Sequence, residues 1–318
     1  MSANEPEGRI IAHKRKRCHK NACFSAGGNQ KSSGCTSSNM VGQESFASIV
    51  NGVFAMQAVD EKVIQWANHL IEAEKNRKGV EPLTALDPGI TVAAAYQVQL
   101  VNIQRKMDAG QRIVGKKIGL TSLAMQKLLG VNEPDYGHLL DGMMVENGRK
   151  LPYEKVLQPK VEAEIAFVLK KDLTGPRVTE LDVLQATDYI VPALEIVDSR
   201  IAGWNIKLQD TIADNASSGF FVLGEKQVAI DSLDLSRIGM VLYKNGDIMN
   251  TGVGAAALGN PATCVAWLAN KLFEYGMALK AGEVILSGAL SAAIDAGPGD
   301  CFQARFAHLG EVSVRFGA

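Results

Sequence analysis

One eleven-residue stretch, PKVEAEIAFVL (residues 159–169), constrains what this chain can fold into more than any other. It reads as a buried β-strand, yet it carries Glu162 and Glu164 inside an apolar run. Side chains alternate across a strand, so the two glutamates project from one face, roughly 7 Å apart at the usual strand rise. Ala163, Ile165 and Phe167 then face the other side and can pack. Two anions on one buried face repel, and one carboxyl pKa should rise steeply. A bound divalent cation removes that cost. A third carboxylate has similar surroundings: in DYIVPALEIVDS (188–199), Glu195 sits among Val191, Ala193, Leu194, Ile196 and Val197. Three oxygen donors of this kind suit a hard cation, Mg2+ or Mn2+, that keeps positions open for substrate oxygens. The competing reading puts Glu162 and Glu164 on the wet face of an antiparallel sheet and pairs Glu195 with an arginine.

Composition narrows the function classes. The chain has 318 residues, 47% hydrophobic and 21% charged, which is enough for a substantial core. No apolar run reaches the length of a membrane-spanning helix, so no membrane association is expected. A net charge of −1 argues against bulk nucleic-acid binding. That charge is uneven: residues 1–55 carry a net +4, leaving −5 on the rest. This segment contains KRKR (14–17), is rich in Ser, Gly, Asn and Ala, and shows no apolar periodicity. It reads as a disordered basic extension, with helical patterning starting near Met56. Glu5 and Glu7 are unusual for a transit peptide, and Cys18, His19, Cys23 and Cys35 match no standard zinc spacing. Only Cys264 and Cys301 lie in the body, which suggests no disulfide framework and fits a reduced cytoplasm.

Helical spacing runs from Asp60 to Asn76 and again from Thr91 to Met107. RIVGKKIGLT (112–121) reads as strand, and SLAMQKLL (122–129) as a short helix between a Ser122 cap and Gly130. Strands dominate after Pro159, interrupted by a helix at Thr179–Ala186 with a Thr179/Asp182 capping box. Asn245-Gly246 marks a hairpin, and Asn260-Pro261 opens a helix through Tyr275. Two strands near 301–306 and 311–316 close the chain. The expected fold class is α+β. A small helical layer (56–110) sits on a mixed β-sheet, barrel-like body (111–318), without regular βαβ alternation. GVGAAALG (252–259) mimics a dinucleotide fingerprint but follows a hairpin, with its helix starting only at Asn260, so that reading is rejected.

The ordered motifs VGKKIGLTS, GVNEPDYGHL, QPKVEAEIAFVL, VPALEIVDSRI, DTIADNASSG, GAAALGNP and AGEVILSGAL span about Gly115–Leu290. Together they resemble the 2-keto-4-pentenoate (2-hydroxypenta-2,4-dienoate) hydratases and 4-oxalocrotonate decarboxylases of aromatic meta-cleavage pathways, in the fumarylacetoacetase-like superfamily. The resemblance covers nearly the whole body from about residue 56; residues 1–55 inherit nothing from it. It implies a fumarylacetoacetase C-terminal-like body with Glu162, Glu164 and Glu195 as divalent-metal ligands. Lys117 matches the family lysine of G-x-K-x-G; Gly115 and Gly119 share its strand face and are expected to leave room for a ligand. On residue chemistry alone Lys117 is either an acid or electrostatic clamp, or a solvated strand lysine. Asp135, in E-P-D-Y-G, is expected on a turn, and its catalytic role rests on the resemblance. Ser217 reads as a substrate hydrogen-bond donor or as a capping hydroxyl. Arg200 reads as structural, paired with Asp198 or another acid. Lys116 and His138 receive no task.

The resemblance implies hydration of 2-hydroxypenta-2,4-dienoate to 4-hydroxy-2-oxopentanoate, with Lys117 and Asp135 as the acid/base pair. The alternative enzyme is a 4-oxalocrotonate decarboxylase acting on a related 2-oxo acid. A third reading is a noncatalytic partner subunit of a hydratase–decarboxylase complex. A homo-oligomer is expected, and association with a paralogous hydratase or decarboxylase is a further possibility.

Overall fold

Local sequence explains why helices come first. A computed structural model of the protein describes residues 60–318; the expected basic extension, its cysteines and Met56 lie outside the described residues. Helix α1 (Glu61–Asn76) begins where the Asp60 carboxylate accepts from the Lys62 N–H at 2.9 Å, and buries Val63, Ala67, Leu70 and Ala73 along one face. A short α2 (Leu83–Leu86) follows. Thr91 caps α3 (Val92–Asp108) by accepting from the Ala94 N–H at 3.1 Å. These helices occupy the stretch where the sequence predicts them.

The body then proceeds through β1 (Ile113–Gly119), α4 (Leu123–Leu129), β2 (Asp135–Leu140), β3 (Met144–Val145), β4 (Lys150–Leu151) and β5 (Pro159–Leu169). Next come α5 (Glu180–Ala186), β6 (Thr187–Asp198), α6 (Leu208–Ala213), β7 (Ser218–Leu223) and the hairpin β8 (Gly239–Lys244)–β9 (Asp247–Val253). Helix α7 (Pro261–Phe273), β10 (Val284–Leu286), β11 (Ile294–Asp295), β12 (Cys301–Phe306) and β13 (Gly310–Phe316) complete the order. The punctuation follows the sequence signals. Thr179 and Asp182 form the capping box of α5, Asn245 and Gly246 turn the hairpin at positive φ, and Asn260 caps α7 with Pro261 at its first position. The helix stops at Phe273, two residues short of the expected end.

Among the described residues, one sheet has eight strands in the order β2-β1-β10-β5-β6-β7-β3, with β11 paired to β5, and a second has five in the order β4-β13-β12-β8-β9. Both are mixed: in the first, β1 runs parallel to β10 and β3 to β7, whereas β5 is antiparallel to β10 and to β6; in the second, β4 runs parallel to β13 and β12 antiparallel to it. The first sheet curls as a half-barrel with helices around it, the expected α+β architecture. Strand alternation divides its two faces. Val161, Ala163, Ile165 and Phe167 of β5 join the main apolar core, which also holds Phe302, Val312 and Val314 of the second sheet. On the opposite face, Ala166, Val191, Ala193, Phe221 and Leu286 form a smaller apolar cluster. Glu162 and Glu164 share that second face.

A buried polar junction fastens α3 to the sheet. The Gln99 amide nitrogen donates to the carbonyls of Tyr136 (3.1 Å) and Ile212 (2.8 Å). Its amide oxygen is then left to accept from His138 Nδ1 at 3.0 Å, which places the His138 proton on Nδ1. Burial, aided by the nearby Lys116 charge, pushes the His138 pKa down to about 3. The folded protein thus keeps His138 neutral where the unfolded chain protonates it. Stability should fall as pH drops from about 6.5 towards 3, by about 1.4 kcal/mol per pH unit for this one proton. Urea titrations between pH 7.5 and 5 check this: a His138→Gln variant should lose less stability on acidification than the native chain. Equal losses would contradict it.

Candidate metal centre and active site

Register, not sequence proximity, assembles the acidic cluster. In the β5–β6 pair, Glu162 lies directly opposite Glu195 and Glu164 opposite Ala193, so strand alternation sets all three glutamates on one face. One carboxylate oxygen from each lies within 4.8 Å of the others. Glu164 is 1% exposed and is not on a solvated face, Glu162 is partly exposed, and Glu195, also 1% exposed, is paired with Lys117 and not with an arginine. Just after β10, the Gly288 N–H donates to Glu164 Oε2 at 2.7 Å and fixes that carboxylate, while Oε1 has no hydrogen-bond partner among the described residues. Gly288 holds φ at +103°, and a Cβ there would meet Thr121 Oγ1 at 2.2 Å.

Lys117 and Asp135 enter from neighbouring strands of the same curled sheet. Lys117 Nζ donates to the Ala216 carbonyl at 3.0 Å and lies 3.1 Å from Glu195 Oε1, an ion pair set off the direction of a good hydrogen bond. The solvated-lysine reading does not hold, because Lys117 is 3% exposed. Asp135 is not on a turn. It is the first residue of β2, paired with Gly119 of β1, and it is buried, with no well-directed hydrogen bond to either carboxylate oxygen among the described residues. The glycines flanking Lys117 do not leave a ligand space. A Cβ on Gly119 would fall 2.1 Å from Asp135 Oδ1, and one on Gly115 would fall 1.9 Å from the Val284 carbonyl oxygen. Gly119 makes room for the aspartate, and Gly115 for the close approach of β10.

The electrostatics are unbalanced. Burial raises all four carboxyl pKa values, with mutual repulsion adding to the effect at Glu162, which reaches about 7, and at Glu164. Burial alone would favour neutral Lys117, but Glu195 and Asp135 outweigh it and hold the ammonium charged above its usual range. One cation faces four carboxylates, and among the described residues several of their oxygens lack a well-directed hydrogen bond. An all-oxygen donor set with excess negative charge fits a hard divalent cation, which Glu162, Glu164 and Glu195 would hold.

Ser217 is buried on a turn just before β7, with its hydroxyl 3.4 Å from Thr211 Oγ1 on α6, and it caps no helix by a side-chain bond. Thr211 also neighbours Asp135. Arg200 is structural in the sense that it is ion-paired, but its partner is Asp214 and not Asp198, which instead accepts from the backbone N–H groups of Leu157 and Gln158. Lys116 points away from the cluster and pairs with Glu283 at 2.7 Å. The 252–259 loop ends beside the site, since the Leu258 N–H donates to the Thr121 carbonyl at 3.1 Å. Two contributors escaped sequence reasoning: the Gly288 N–H and the Ala216 carbonyl. Both act through backbone atoms, and the only signal for either was its place inside a quoted motif.

Comparison with known proteins supports this reading of the fold. The family described as fumarylacetoacetate (FAA) hydrolase C-terminal matches residues 141–316, more than half of the chain. The 2-keto-4-pentenoate hydratase of Paraburkholderia xenovorans (strain LB400) is 48% identical over 250 residues, covering 79% of this chain and 93% of that protein. A 2-hydroxypent-2,4-dienoate hydratase of Pseudomonas putida is 51% identical over 212 residues, covering 66% of this chain and 96% of its own. Among solved structures, 4-oxalocrotonate decarboxylase from Pseudomonas putida G7, complexed with magnesium and adipate, superposes with a TM-score of 0.78. It is 40% identical and covers 81% of this chain and 98% of its own; the same enzyme is also known with calcium and acetate. The chain belongs to the fumarylacetoacetate hydrolase C-terminal family, in the group that unites the 2-keto-4-pentenoate hydratases with 4-oxalocrotonate decarboxylase.

Proposed function

We propose that this protein is a divalent-metal-dependent hydro-lyase of aromatic meta-cleavage degradation, converting 2-hydroxypenta-2,4-dienoate to 4-hydroxy-2-oxopentanoate. The observation that carries the reading is the three-glutamate cluster, two of its members buried and Glu162 partly so, with Lys117 and Asp135 beside it, in a chain about 48% identical to named hydratases. The resident metal is Mg2+, with Mn2+ able to replace it; the relative's structures with magnesium and with calcium support a hard cation.

The reaction needs two proton movements and one addition. The C2 hydroxyl loses a proton and C5 gains one, giving a 2-oxo-3-ene in which C4 is electrophilic. Water then adds at C4 and a proton goes to C3. Asp135, buried beside Lys117 and Thr211, is the base that takes the C2 hydroxyl proton. Lys117 Nζ, held charged, is the partner that returns a proton and stabilises developing oxyanion charge. The Ser217 hydroxyl orients the substrate. A hard divalent cation bound by Glu162, Glu164 and Glu195 supplies positive charge that favours the carboxylate and enolate forms of a 2-oxo acid. The enclosing apolar cluster of Phe221, Val191 and Leu286 limits water and strengthens these interactions.

The same residues would also serve a decarboxylase, and the likeness to 4-oxalocrotonate decarboxylase keeps that reading as the second one. In that case carbon dioxide departs and the freed electron pair enters the dienolate. The protein acts as a homo-oligomer in the cytoplasm.

Two measurements test the reading. Purified protein offered 2-hydroxypenta-2,4-dienoate and oxalocrotonate should consume the dienoate without releasing carbon dioxide, and a chelator should stop it. Carbon dioxide release from oxalocrotonate as the dominant activity would favour the decarboxylase; no turnover of either would leave the noncatalytic subunit. Separately, Glu195→Gln should lower turnover about 1000-fold, corresponding to several kcal/mol of lost charge stabilisation. Added Mn2+ should raise the melting temperature of the native chain but not of the variant. Native-like turnover of the variant would refute the ligand assignment.

A further inference from the structure

Three consecutive non-glycine residues, Asn215, Ala216 and Ser217, hold left-handed φ values of 55°, 51° and 53°. Such residues occur singly, and a run of three persists only where surrounding contacts force it. This turn carries two groups of the proposed site: the Ala216 carbonyl, 3.0 Å from Lys117 Nζ, and the Ser217 hydroxyl.

The forcing contacts are visible. From one side, the Asn215 side chain accepts from the His138 N–H at 2.7 Å and donates to the His138 carbonyl at 2.9 Å, tying the turn to β2. Gly137 makes that approach possible, since a Cβ there would lie 2.3 Å from the Asn215 carbonyl oxygen. From the other side, one arginine spans both ends. Arg200 Nη2 donates to the Asp214 carbonyl at 2.5 Å and Nη1 to the Ser218 carbonyl at 2.9 Å, the residues immediately before and after the turn. Its Nε donates to Asp214 Oδ1, and its own backbone N–H to Asp214 Oδ2 at 2.9 Å.

We propose that Arg200 is a positioning residue for the reaction: its planar fork clasps the two ends of the Asn215–Ser217 turn and so holds the Ala216 carbonyl against Lys117 and keeps Ser217 in place. The inference rests on the functional reading above, because it takes Lys117 and Ser217 as working groups. A lysine keeps the charge against Asp214 but has no fork to reach both carbonyls. Lys117 would then lose one of its two fixed partners and drift from its working position, while the glutamate cluster, built on β5 and β6, would be untouched. Arg200 also lines a cavity of about 140 Å³, a volume larger than that of a guanidinium ion.

The test begins with turnover of the native chain, whose absence would sink the functional reading and not the clasp. With the native chain active, Arg200→Lys should lower kcat by roughly 10- to 100-fold, the scale of a small misplacement. Calorimetric Mn2+ affinity of the metal-free variant should stay at the native value. Asn215→Gly, which keeps the left-handed backbone comfortable but cuts the tie to β2, should show the same split. Low-millimolar guanidinium should restore part of the activity of Arg200→Ala, and ammonium should not. Native kcat in Arg200→Lys would overturn the proposal. Loss of Mn2+ affinity in step with kcat would overturn it too, since that pattern marks general damage. A guanidinium-insensitive Arg200→Ala that folds would do the same.

Discussion

Everything distinctive in this structure follows from placing three carboxylates where water cannot reach them, beside a fourth, Glu162, that is partly exposed. Glu164, Glu195 and Asp135 are each about 1% exposed, Glu162 lies beside them, and Lys117 is the ammonium set among them. An isolated buried carboxylate is costly to ionise, and a cluster of them more so. A chain that keeps this arrangement on paired strands is organised around a positive charge larger than one lysine provides. The β5–β6 ladder fixes the spacing of the glutamates, the curl of the sheet brings in Lys117 and Asp135, and Gly288 aims Glu164. The apolar cluster on the same face keeps the dielectric low, which makes each of these interactions stronger than it would be in water.

Rigidity at the site comes from the backbone as much as from side chains. Gly115, Gly119, Gly137 and Gly288 each stand where a Cβ would strike a neighbour at about 2 Å. Each allows one element to press against another. The left-handed turn at Asn215–Ser217 is the opposite device: ordinary residues held in an unfavourable conformation by bonds from β2 and from Arg200. Together these features let strands and turns approach closely enough to form a site within a few ångströms without a long loop. They also link the helical layer to the chemistry, because Gln99 on α3 binds the same His138 whose backbone holds Asn215.

Much of this was legible in the sequence, for identifiable reasons. Helix caps and the Asn-Gly hairpin depend on local backbone chemistry, so Ser122, Thr179 and Asn260 announce themselves. The two glutamates in an apolar strand signalled a charge that needed balancing, and period-two alternation set them on one face. What stayed hidden depended on tertiary contact. Asp135 follows a proline and reads as a turn residue, yet pairing with Gly119 makes it the start of a strand. Gly115 and Gly119 read as space for a ligand, but the partners that fill the space, the Val284 carbonyl and the Asp135 carboxylate, come from distant segments. Arg200 could be seen to need an acid, and only the fold selects Asp214 over the nearer Asp198.

The most direct test of the account is anomalous diffraction from crystals soaked in Mn2+. A single strong peak is predicted, about 2.0–2.6 Å from an oxygen of each of Glu162, Glu164 and Glu195. A peak bound elsewhere, or none at these carboxylates under saturating metal, would contradict the claim that the cluster is built to hold one divalent ion.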